Sequence, residues 1–164
     1  MTRRLILMRH AKSSWGDPVL SDHARPLNGR GKRSAKALGD CLREHGYLPD
    51  EVLSSSSART RETLDRLKLD APTRFLDSLY HASPATMFKE LNRANGACVL
   101  MLGHNPGIAG FAEDLVSHAP DHPRFSDYPT CATLVVDFDV NGWSDMTQAS
   151  GTPLAFVIPR ELTE

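Results

Sequence analysis

The sequence predicts an α/β fold with one domain, in which helices cover both faces of a mostly parallel central sheet. Short apolar segments alternate with amphipathic helical segments along the chain, as in parallel strands joined by crossover helices. Residues 97–103 are apolar throughout, which is typical of a central strand covered on both faces. The 164 residues, of which 40% are hydrophobic, are enough for one core, so we expect a single domain over residues 1–164.

Two helices and three strands are expected in the first half of the chain. Apolar side chains recur on one helical face at Ala35, Leu38, Cys41 and Leu42, and Gly46 marks the end of that helix. Clustered Gly, Pro, Ser and Asp residues indicate a long loop before it. The expected elements are a strand at residues 4–9, a loop at 13–31, a helix at 30–45, a strand at 50–56, a helix at 57–68 and a weaker strand at 73–80.

Capping residues and a turn signal define the second half. Ser83 is expected to cap a helix that has Pro84 at its first position. Asn105 is expected to cap the helix that follows the central strand, and the Asn141-Gly142 pair is typical of a β-hairpin turn. The further elements are strands at residues 97–103, 132–140 and 153–159 and a helix at 104–119.

Composition and charge exclude several classes of protein. The formal net charge is −1, so bulk charge does not indicate a nucleic-acid partner. Apolar runs are far shorter than the roughly 20 residues of a membrane helix, and the N-terminus lacks the apolar stretch of a signal peptide. We expect no membrane partner. The cysteines Cys41, Cys98 and Cys131 are odd in number and form no C-x-x-C pair, which indicates free thiols and a cytoplasmic location.

Cationic side chains lie at the predicted ends of three strands. The first strand ends at Arg9 and His10, the second leads into a helix that carries Arg59, and the central strand ends just before His104. Ligands of such sheets bind beyond the carboxyl ends of the strands, so these side chains are expected to meet. Arginine pairs bidentately with phosphate, and a helix N-terminus adds N–H donors. The sequence therefore predicts a pocket for a phosphoryl dianion.

A neutral imidazole in such a pocket is a competent nucleophile toward phosphorus. The reference pKa of histidine is ~6.5, so much of the ring is unprotonated near pH 7. Nearby arginines favour the neutral ring, whereas an arriving phosphate favours the imidazolium. These opposing demands suggest that one histidine attacks and that the other donates a hydrogen bond to a phosphoryl oxygen.

Three motifs resemble the histidine phosphatase superfamily, branch 1: LMRHAKSSW at residues 7–15, SSSSARTRET at 54–63 and GHNPGI at 103–108. The segment DHARPLNGRG at 22–31 is similar to small bacterial phosphohistidine phosphatases of the SixA type. The resemblance covers almost the whole chain. It implies a phosphoglycerate-mutase-like fold that uses no metal and no cofactor. It also implies that His10 is the nucleophile, that Arg9 and Arg59 hold the phosphoryl group and that His104 completes the pocket.

The general acid stays unassigned. Many members of branch 1 carry a glutamate after the third strand, but residues 75–88 of this chain contain none. Asp17, Asp77 and His81 are weak candidates for the role. An alkoxide leaving group needs a proton during P–O cleavage, whereas phosphohistidine departs as an imidazole that can already carry one. The absence of the glutamate therefore favours a phosphoramidate substrate.

The sequence predicts a metal-independent phosphohistidine phosphatase that acts through a phosphohistidine intermediate on His10. Two alternatives stay open: a phosphomonoesterase for a small metabolite or phosphoprotein, and a non-catalytic module that binds phosphoryl groups. The expected partner is a phosphorylated protein or a small phosphorylated molecule, and phosphate or sulfate is expected to bind in the site. Ser14 is a weaker candidate for a phosphate donor, together with Lys12 and Ser13.

Several other polar and aromatic residues are expected to have ordinary structural roles. Pro120 lies between His118 and His122, so their spacing does not predict a metal site. Trp15 and Trp143 are expected to be packing anchors. A solvated helix face is expected for a group of five cations, with a docking patch for an acidic partner as the alternative. The group comprises Arg25, Arg30, Lys32, Arg33 and Lys36.

Overall fold

The computed structural model describes residues 1–163, and within them six strands form one sheet. The strands are β1 (Thr2–Arg9), β2 (Glu51–Ser55), β3 (Thr73–Leu76), β4 (Cys98–Gly103), β5 (Thr133–Asp139) and β6 (Thr152–Val157). Their spatial order is β3-β2-β4-β1-β5-β6. The pairs β3–β2, β2–β4 and β4–β1 are parallel, whereas β5 is antiparallel to both β1 and β6. The expected mostly parallel sheet is confirmed.

Helices cover both faces of this sheet, as the sequence predicts. They are α1 (Gly29–Glu44), α2 (Ala58–Leu67), α3 (Pro84–Asn92), α4 (Gly107–Leu115) and the short α5 (Arg160–Thr163). Successive side chains of a strand point to opposite faces, so β1 contributes to two separate cores. Leu5 and Leu7 pack in the core that contains α3 and α4, whereas Ile6 and Met8 pack with α1 and α2.

The start of α4 differs from the expected helix at residues 104–119. Asn105 is not the cap, because its side-chain Nδ2 donates to the carbonyl oxygens of Asp127 at 2.9 Å and Tyr128 at 3.0 Å. Pro106 occupies the N-cap position instead, and the helix begins at Gly107. The helix ends at Leu115 because the next residue is extended. Asn105 therefore ties the loop before β5 to the end of β4.

Two further boundaries were wrong in the sequence prediction. The strand expected at residues 73–80 ends at Leu76, and Asp77–Leu79 forms a 3-10 turn. The antiparallel strands β5 and β6 are joined by residues 140–151 and not by a two-residue turn at Asn141-Gly142. Trp143 begins a 3-10 turn within this connection and is buried, with its Nε1 donating to the carbonyl oxygen of Gly96 at 2.7 Å. The connection is long because it carries this packing anchor.

The state of the cysteines and the lengths of the helices are two further points of the sequence prediction. Cys41, Cys98 and Cys131 are free thiols, as predicted, although Cys98 is only partly buried. None of the helices in residues 1–163 has the length and apolarity that crossing a bilayer requires.

Close contact between α1 and α2 depends on Gly39. A Cβ atom at this position would lie 2.2 Å from the carbonyl oxygen of Leu67, so Gly39→Ala must push the two helices apart. We expect a net loss of about 1–3 kcal/mol in the free energy of unfolding, as for other overpacked sites. Gly29→Ala is the control, because its Cβ would meet only the flexible guanidinium of Arg33 at 3.4 Å. Denaturant unfolding measures both variants, and equal stability of Gly39→Ala and wild type would contradict the prediction.

Candidate active site

Four side chains that the sequence places near strand ends line one cavity of about 270 Å³. Arg9 is the last residue of β1, and the backbone N–H of His10 donates to the carbonyl oxygen of Gly103 at 3.1 Å. His104 follows β4, the parallel neighbour of β1. Arg59 lies in the first turn of α2, shortly after β2. The order of these parallel strands brings the four side chains to one edge of the sheet.

A backbone carbonyl determines which nitrogen of His10 carries a proton. The Nδ1 atom lies 2.7 Å from the carbonyl oxygen of Ala11. A carbonyl oxygen only accepts hydrogen bonds, so Nδ1 is the protonated nitrogen and Nε2 carries the free lone pair. The side chain is buried, with 6% of the residue exposed. His10 therefore presents the tautomer that a nucleophilic imidazole requires.

Burial also keeps the His10 ring uncharged. The pKa of His10 is lowered to about 3, and loss of hydration is the largest cause. The hydrogen bond to Ala11 raises the pKa, whereas the positive charges of Arg9, Arg59 and Arg25 lower it. The same two causes act on Arg9, where burial and then the charge of Arg59 lower the pKa. The cavity thus contains cations around a neutral ring.

His104 lies beside His10, with the two ring centroids 5.2 Å apart. Its Nε2 is 2.8 Å from Oγ of Ser55, and that oxygen already accepts from the backbone N–H of Ser57 at 3.3 Å. The Ser55 hydroxyl has no other hydrogen-bond acceptor among residues 1–163, so we infer that it donates to Nε2 and that the ring proton of His104 is on Nδ1. Burial lowers the pKa of His104, followed in order by the effects of His10 and Arg59. His104 is thus a neutral hydrogen-bond donor next to His10.

Unpaired polar atoms concentrate in this cavity. Within residues 1–163, four buried side-chain polar atoms lack a hydrogen-bond partner, and three of them belong to Arg9 (Nε), His104 (Nδ1) and Asn105 (Oδ1). All three residues line the cavity. A buried donor without a partner costs roughly 1–3 kcal/mol, so such atoms are rare unless a ligand satisfies them. Two of the three are donors, which fits an anionic ligand.

Asp22 organises the cations of the site, and sequence reasoning missed it. Its Oδ2 accepts from Nη2 of Arg59 at 3.0 Å, its backbone carbonyl accepts from Nη1 of Arg59 at 2.7 Å, and its Oδ1 accepts from Nη1 of Arg25 at 2.8 Å. Oδ2 also contacts the Tyr80 hydroxyl and Nε2 of His81. Burial raises the pKa of Asp22, but hydrogen bonds from Tyr80, His81 and Arg59 outweigh this effect and hold the pKa well below its usual range.

Arg25 and Trp15 differ from their expected roles. Arg25 does not lie on a solvated face, because only 7% of it is exposed and its Nε donates to the carbonyl oxygen of Ser14 at 3.0 Å. Trp15 is not a packing anchor, since 76% of it is exposed and its ring stacks on the Arg25 guanidinium at 3.4 Å. Both differences have the same cause. The loop between β1 and α1 folds back so that the Arg25 guanidinium reaches Asp22 and Ser13, and the Trp15 ring covers the outer face of that guanidinium. The signal was the segment DHARPL, in which Asp22 precedes Arg25 by three residues.

The weaker phosphate-donor candidates separate into two groups. Lys12 and Ser13 line the cavity. Ser14 is not among the lining residues, and its Oγ accepts from the backbone N–H of Gly16 at 3.0 Å. The Ser14 hydroxyl oxygen thus stabilises the turn of the loop, and its role as a phosphate donor stays a prediction.

The three candidates for the general acid differ in whether they line the cavity. Asp17 lies in an exposed loop and accepts a hydrogen bond from the backbone N–H of Val19, and neither Asp17 nor Asp77 lines the cavity. His81 lines it, half exposed, with its Nε2 at 3.0 Å from Oδ2 of Asp22. Asp22 is the one carboxylate among the lining residues within the described chain.

The two histidines with metal-like spacing in the sequence are His118 and His122. No group of three or more His, Cys, Asp or Glu side chains between residues 1 and 163 is arranged to hold a metal ion. His122, one of the pair with metal-like spacing, contacts Glu161 through its Nε2 at 3.2 Å.

Comparisons with known proteins give consistent matches. The sequence profile of the histidine phosphatase superfamily, branch 1, matches residues 5–80. An uncharacterized protein of Mycobacterium tuberculosis is 36% identical in an alignment 160 residues long, which covers 93% of this chain and 100% of the relative. A Nakamurella multipartitia protein assigned as phosphohistidine phosphatase SixA has a structure with a TM-score of 0.84 and 30% identity, covering 97% of each chain.

A further structural match supports the fold alone. The protein histidine phosphatase SixA complexed with tungstate matches with a TM-score of 0.76 at 21% identity, over 98% of this chain and 99% of that one. With the closer match, it confirms the expected phosphoglycerate-mutase-like α/β fold.

The His10 ring is expected to stay neutral in acid. Its pKa of about 3 predicts an uncharged imidazole at pH 5, where a histidine with the ordinary pKa of ~6.5 is mostly protonated. Heteronuclear NMR of histidine-labelled protein measures this, with the signal assigned by its loss in His10→Gln. A titration midpoint near 6.5 would contradict the assignment.

The lowered pKa of His10 also makes the free energy of unfolding depend on pH. Between pH ~6.5 and about 3 the unfolded chain binds a proton at this position that the folded chain does not. The contribution of His10 to the free energy of unfolding is therefore complete above the unfolded pKa and decreases as the pH falls through that window.

Proposed function

Because the chain belongs to the histidine phosphatase superfamily, branch 1, we propose that it removes phosphoryl groups from histidine residues of other proteins. The observation that supports this proposal is the protonation state of two groups at the cavity, the imidazole of His10 and the carboxylate of Asp22. His10 offers an unprotonated Nε2, whereas Asp22, the lining carboxylate of the described chain, is held ionised by its hydrogen bonds. The site has a nucleophile but no carboxylic acid that could protonate an alkoxide, which favours a leaving group that needs no such acid.

In the first step, Nε2 of His10 attacks phosphorus. The bond between phosphorus and the substrate imidazole nitrogen breaks, and its electron pair stays on that nitrogen. The other nitrogen of the substrate ring carries a proton, so the leaving group departs as a neutral imidazole. Arg9, Arg59 and the Nδ1 donor of His104 bind the phosphoryl oxygens, where charge is spread in the transition state.

In the second step, water attacks phosphorus from the side opposite Nε2 of His10. The phosphorylated His10 ring keeps its proton on Nδ1, which donates to the carbonyl oxygen of Ala11, so the ring is cationic and leaves as a neutral imidazole. The electron pair of the P–N bond returns to Nε2, and the two protons of water leave with dihydrogen phosphate. Neither step as written requires a metal ion or a cofactor.

One observation favours the phosphomonoesterase alternative. His81 lines the cavity and contacts Asp22, so a protonated His81 ring is a candidate proton donor to an alkoxide. Its half-exposed position gives it access to solvent protons.

Substrate preference separates these functions. We expect faster turnover of a phosphohistidine protein than of any member of a panel of phosphate monoesters, with no effect of EDTA. A brief pulse of substrate should leave acid-labile phosphate on the enzyme, detected by mass spectrometry, and His10→Ala should abolish both the phosphoenzyme and turnover. Preference for esters would establish the phosphomonoesterase, and phosphate binding without any hydrolysis would establish the binding module.

Arg59 and Arg61 form a matched pair for testing the phosphate clamp. Arg59→Ala should lower kcat/KM by about 100- to 1,000-fold, the usual cost of removing one donor to a transition-state oxyanion. Arg61 is two residues away, but its guanidinium lies over the Phe75 ring at 3.9 Å and does not line the cavity. Arg61→Ala should therefore keep near-normal kinetics, and similar losses in both variants would contradict the assignment.

A further inference from the structure

A second cavity lies directly beside the active site. It has a volume of about 220 Å³ and is lined by four cationic side chains, from Lys12, Arg30, Arg124 and Arg160. Lys12 and Thr130 line both this cavity and the active-site cavity. The two spaces are therefore adjacent, with Lys12 between them.

Lys12 and Arg30 give the second cavity positive charge that no acidic side chain among residues 1–163 pairs with. No Asp or Glu side chain occurs among its lining residues in the described chain. The Arg124 Nε pairs with Oδ2 of Asp127 at 2.8 Å, but neither Lys12 nor Arg30 has an acidic side chain within 4.0 Å among residues 1–163. The neighbouring cations of α1 are different, because Lys32 lies 3.9 Å from Glu62 and Lys36 lies 2.9 Å from Asp40.

Tight backbone packing fixes the position of the second cavity relative to the active-site cavity. The carbonyl oxygen of Lys12 accepts from the backbone N–H of Asn28 at 3.0 Å. A Cβ atom on Gly31 would lie only 2.1 Å from that same oxygen, so α1 approaches the segment after His10 as closely as its backbone allows. An anion bound near Arg30 would therefore lie at a reproducible distance from the proposed nucleophile.

The surroundings of the site fit a protein better than a small metabolite. Trp15 lines the active-site cavity and is 76% exposed, and Val19 and Leu20 of the same loop are also exposed. An exposed tryptophan at the edge of a cavity is typical of a protein-binding surface, where aromatic side chains are enriched. A ligand that reaches both cavities and contacts Trp15 must extend across the surface.

We propose that the second cavity binds acidic side chains of the substrate protein, located near its phosphohistidine. Lys12 and Arg30 supply the charge that attracts a carboxylate, and Arg124 and Arg160 complete the cationic lining. The enzyme then selects phosphohistidines in acidic surroundings, and it does so through binding and not through the chemical step. This inference rests on the proposed function, because the substrate must be a phosphohistidine protein.

Two phosphohistidine peptides test the proposal. They have the same sequence, except that glutamates flanking the phosphohistidine in one are glutamines in the other. Wild-type enzyme should prefer the acidic peptide by about tenfold in kcat/KM, through KM, and the preference should shrink at high salt because exposed charges are screened. Arg30→Glu should abolish the preference, and Arg30→Gln should reduce it.

Arg33→Glu is the matched control. Arg33 lies on the same helix three residues after Arg30, is exposed and does not line the cavity, so the same change of charge should leave the preference intact. Phosphoimidazole, which has no carboxylate, reports on the active site alone. All three variants should hydrolyse it at the wild-type rate, which also shows that they are folded.

Each other outcome overturns the inference in a recognisable way. Equal hydrolysis of both peptides by wild type, or equal effects of Arg30→Glu and Arg33→Glu, would reject the acidic subsite but leave the phosphohistidine phosphatase in place. Arg30→Glu could instead slow the hydrolysis of a sugar bisphosphate, leave that of the sugar monophosphate unchanged and have no effect on the two peptides. The second cavity would then bind a second phosphate, and the proposal would be wrong. If neither peptide nor phosphoimidazole were hydrolysed, the proposed function itself would fail, and the inference with it.

Discussion

The hydrogen bond from Nδ1 of His10 to the carbonyl oxygen of Ala11 is the interaction on which the proposed chemistry depends. It leaves the lone pair on Nε2, and in the intermediate it keeps the proton that makes the imidazole a good leaving group. The Ala11 backbone is itself held, because its N–H donates to Oγ1 of Thr63 at 3.0 Å and that hydroxyl donates to the carbonyl oxygen of Arg59 at 2.7 Å. Nucleophile and phosphate clamp are thus positioned through one short chain of hydrogen bonds.

Electrostatic balance is the second constraint. Arg9, Arg25 and Arg59 are buried or partly buried around a neutral His10, and unpaired cations in such surroundings are costly. Asp22 compensates Arg25 and Arg59 with one carboxylate. The backbone oxygen of Tyr128 accepts from Arg9, and that of Ser14 also accepts from Arg25. The loop between β1 and α1 therefore supplies the counter-charge that permits a cationic cavity in the folded protein.

The sequence predicted the sheet, both helical layers and the meeting of Arg9, His10, Arg59 and His104, because strand ends follow from periodicity and from the parallel order of the strands. It did not predict the contacts of Asp22 with the arginines, the burial of Arg25 or the exposure of Trp15. These residues lie in a loop whose path is set by side-chain hydrogen bonds and not by a repeating pattern. Asn105 failed as a helix cap for the same reason, since its amide bonds to a segment more than twenty residues away. Local rules thus located the elements, whereas contacts between loops required coordinates.

The pairing of Arg59 with Asp22 has a consequence for turnover. The carboxylate and carbonyl of Asp22 already engage two of the five N–H donors of the Arg59 guanidinium. Inorganic phosphate left in the cavity after hydrolysis must share Arg59 with this internal anion. In the proposed reaction, Asp22 would therefore act as a built-in competitor that weakens retention of the product, so that the cavity empties for the next cycle and accumulated phosphate inhibits less.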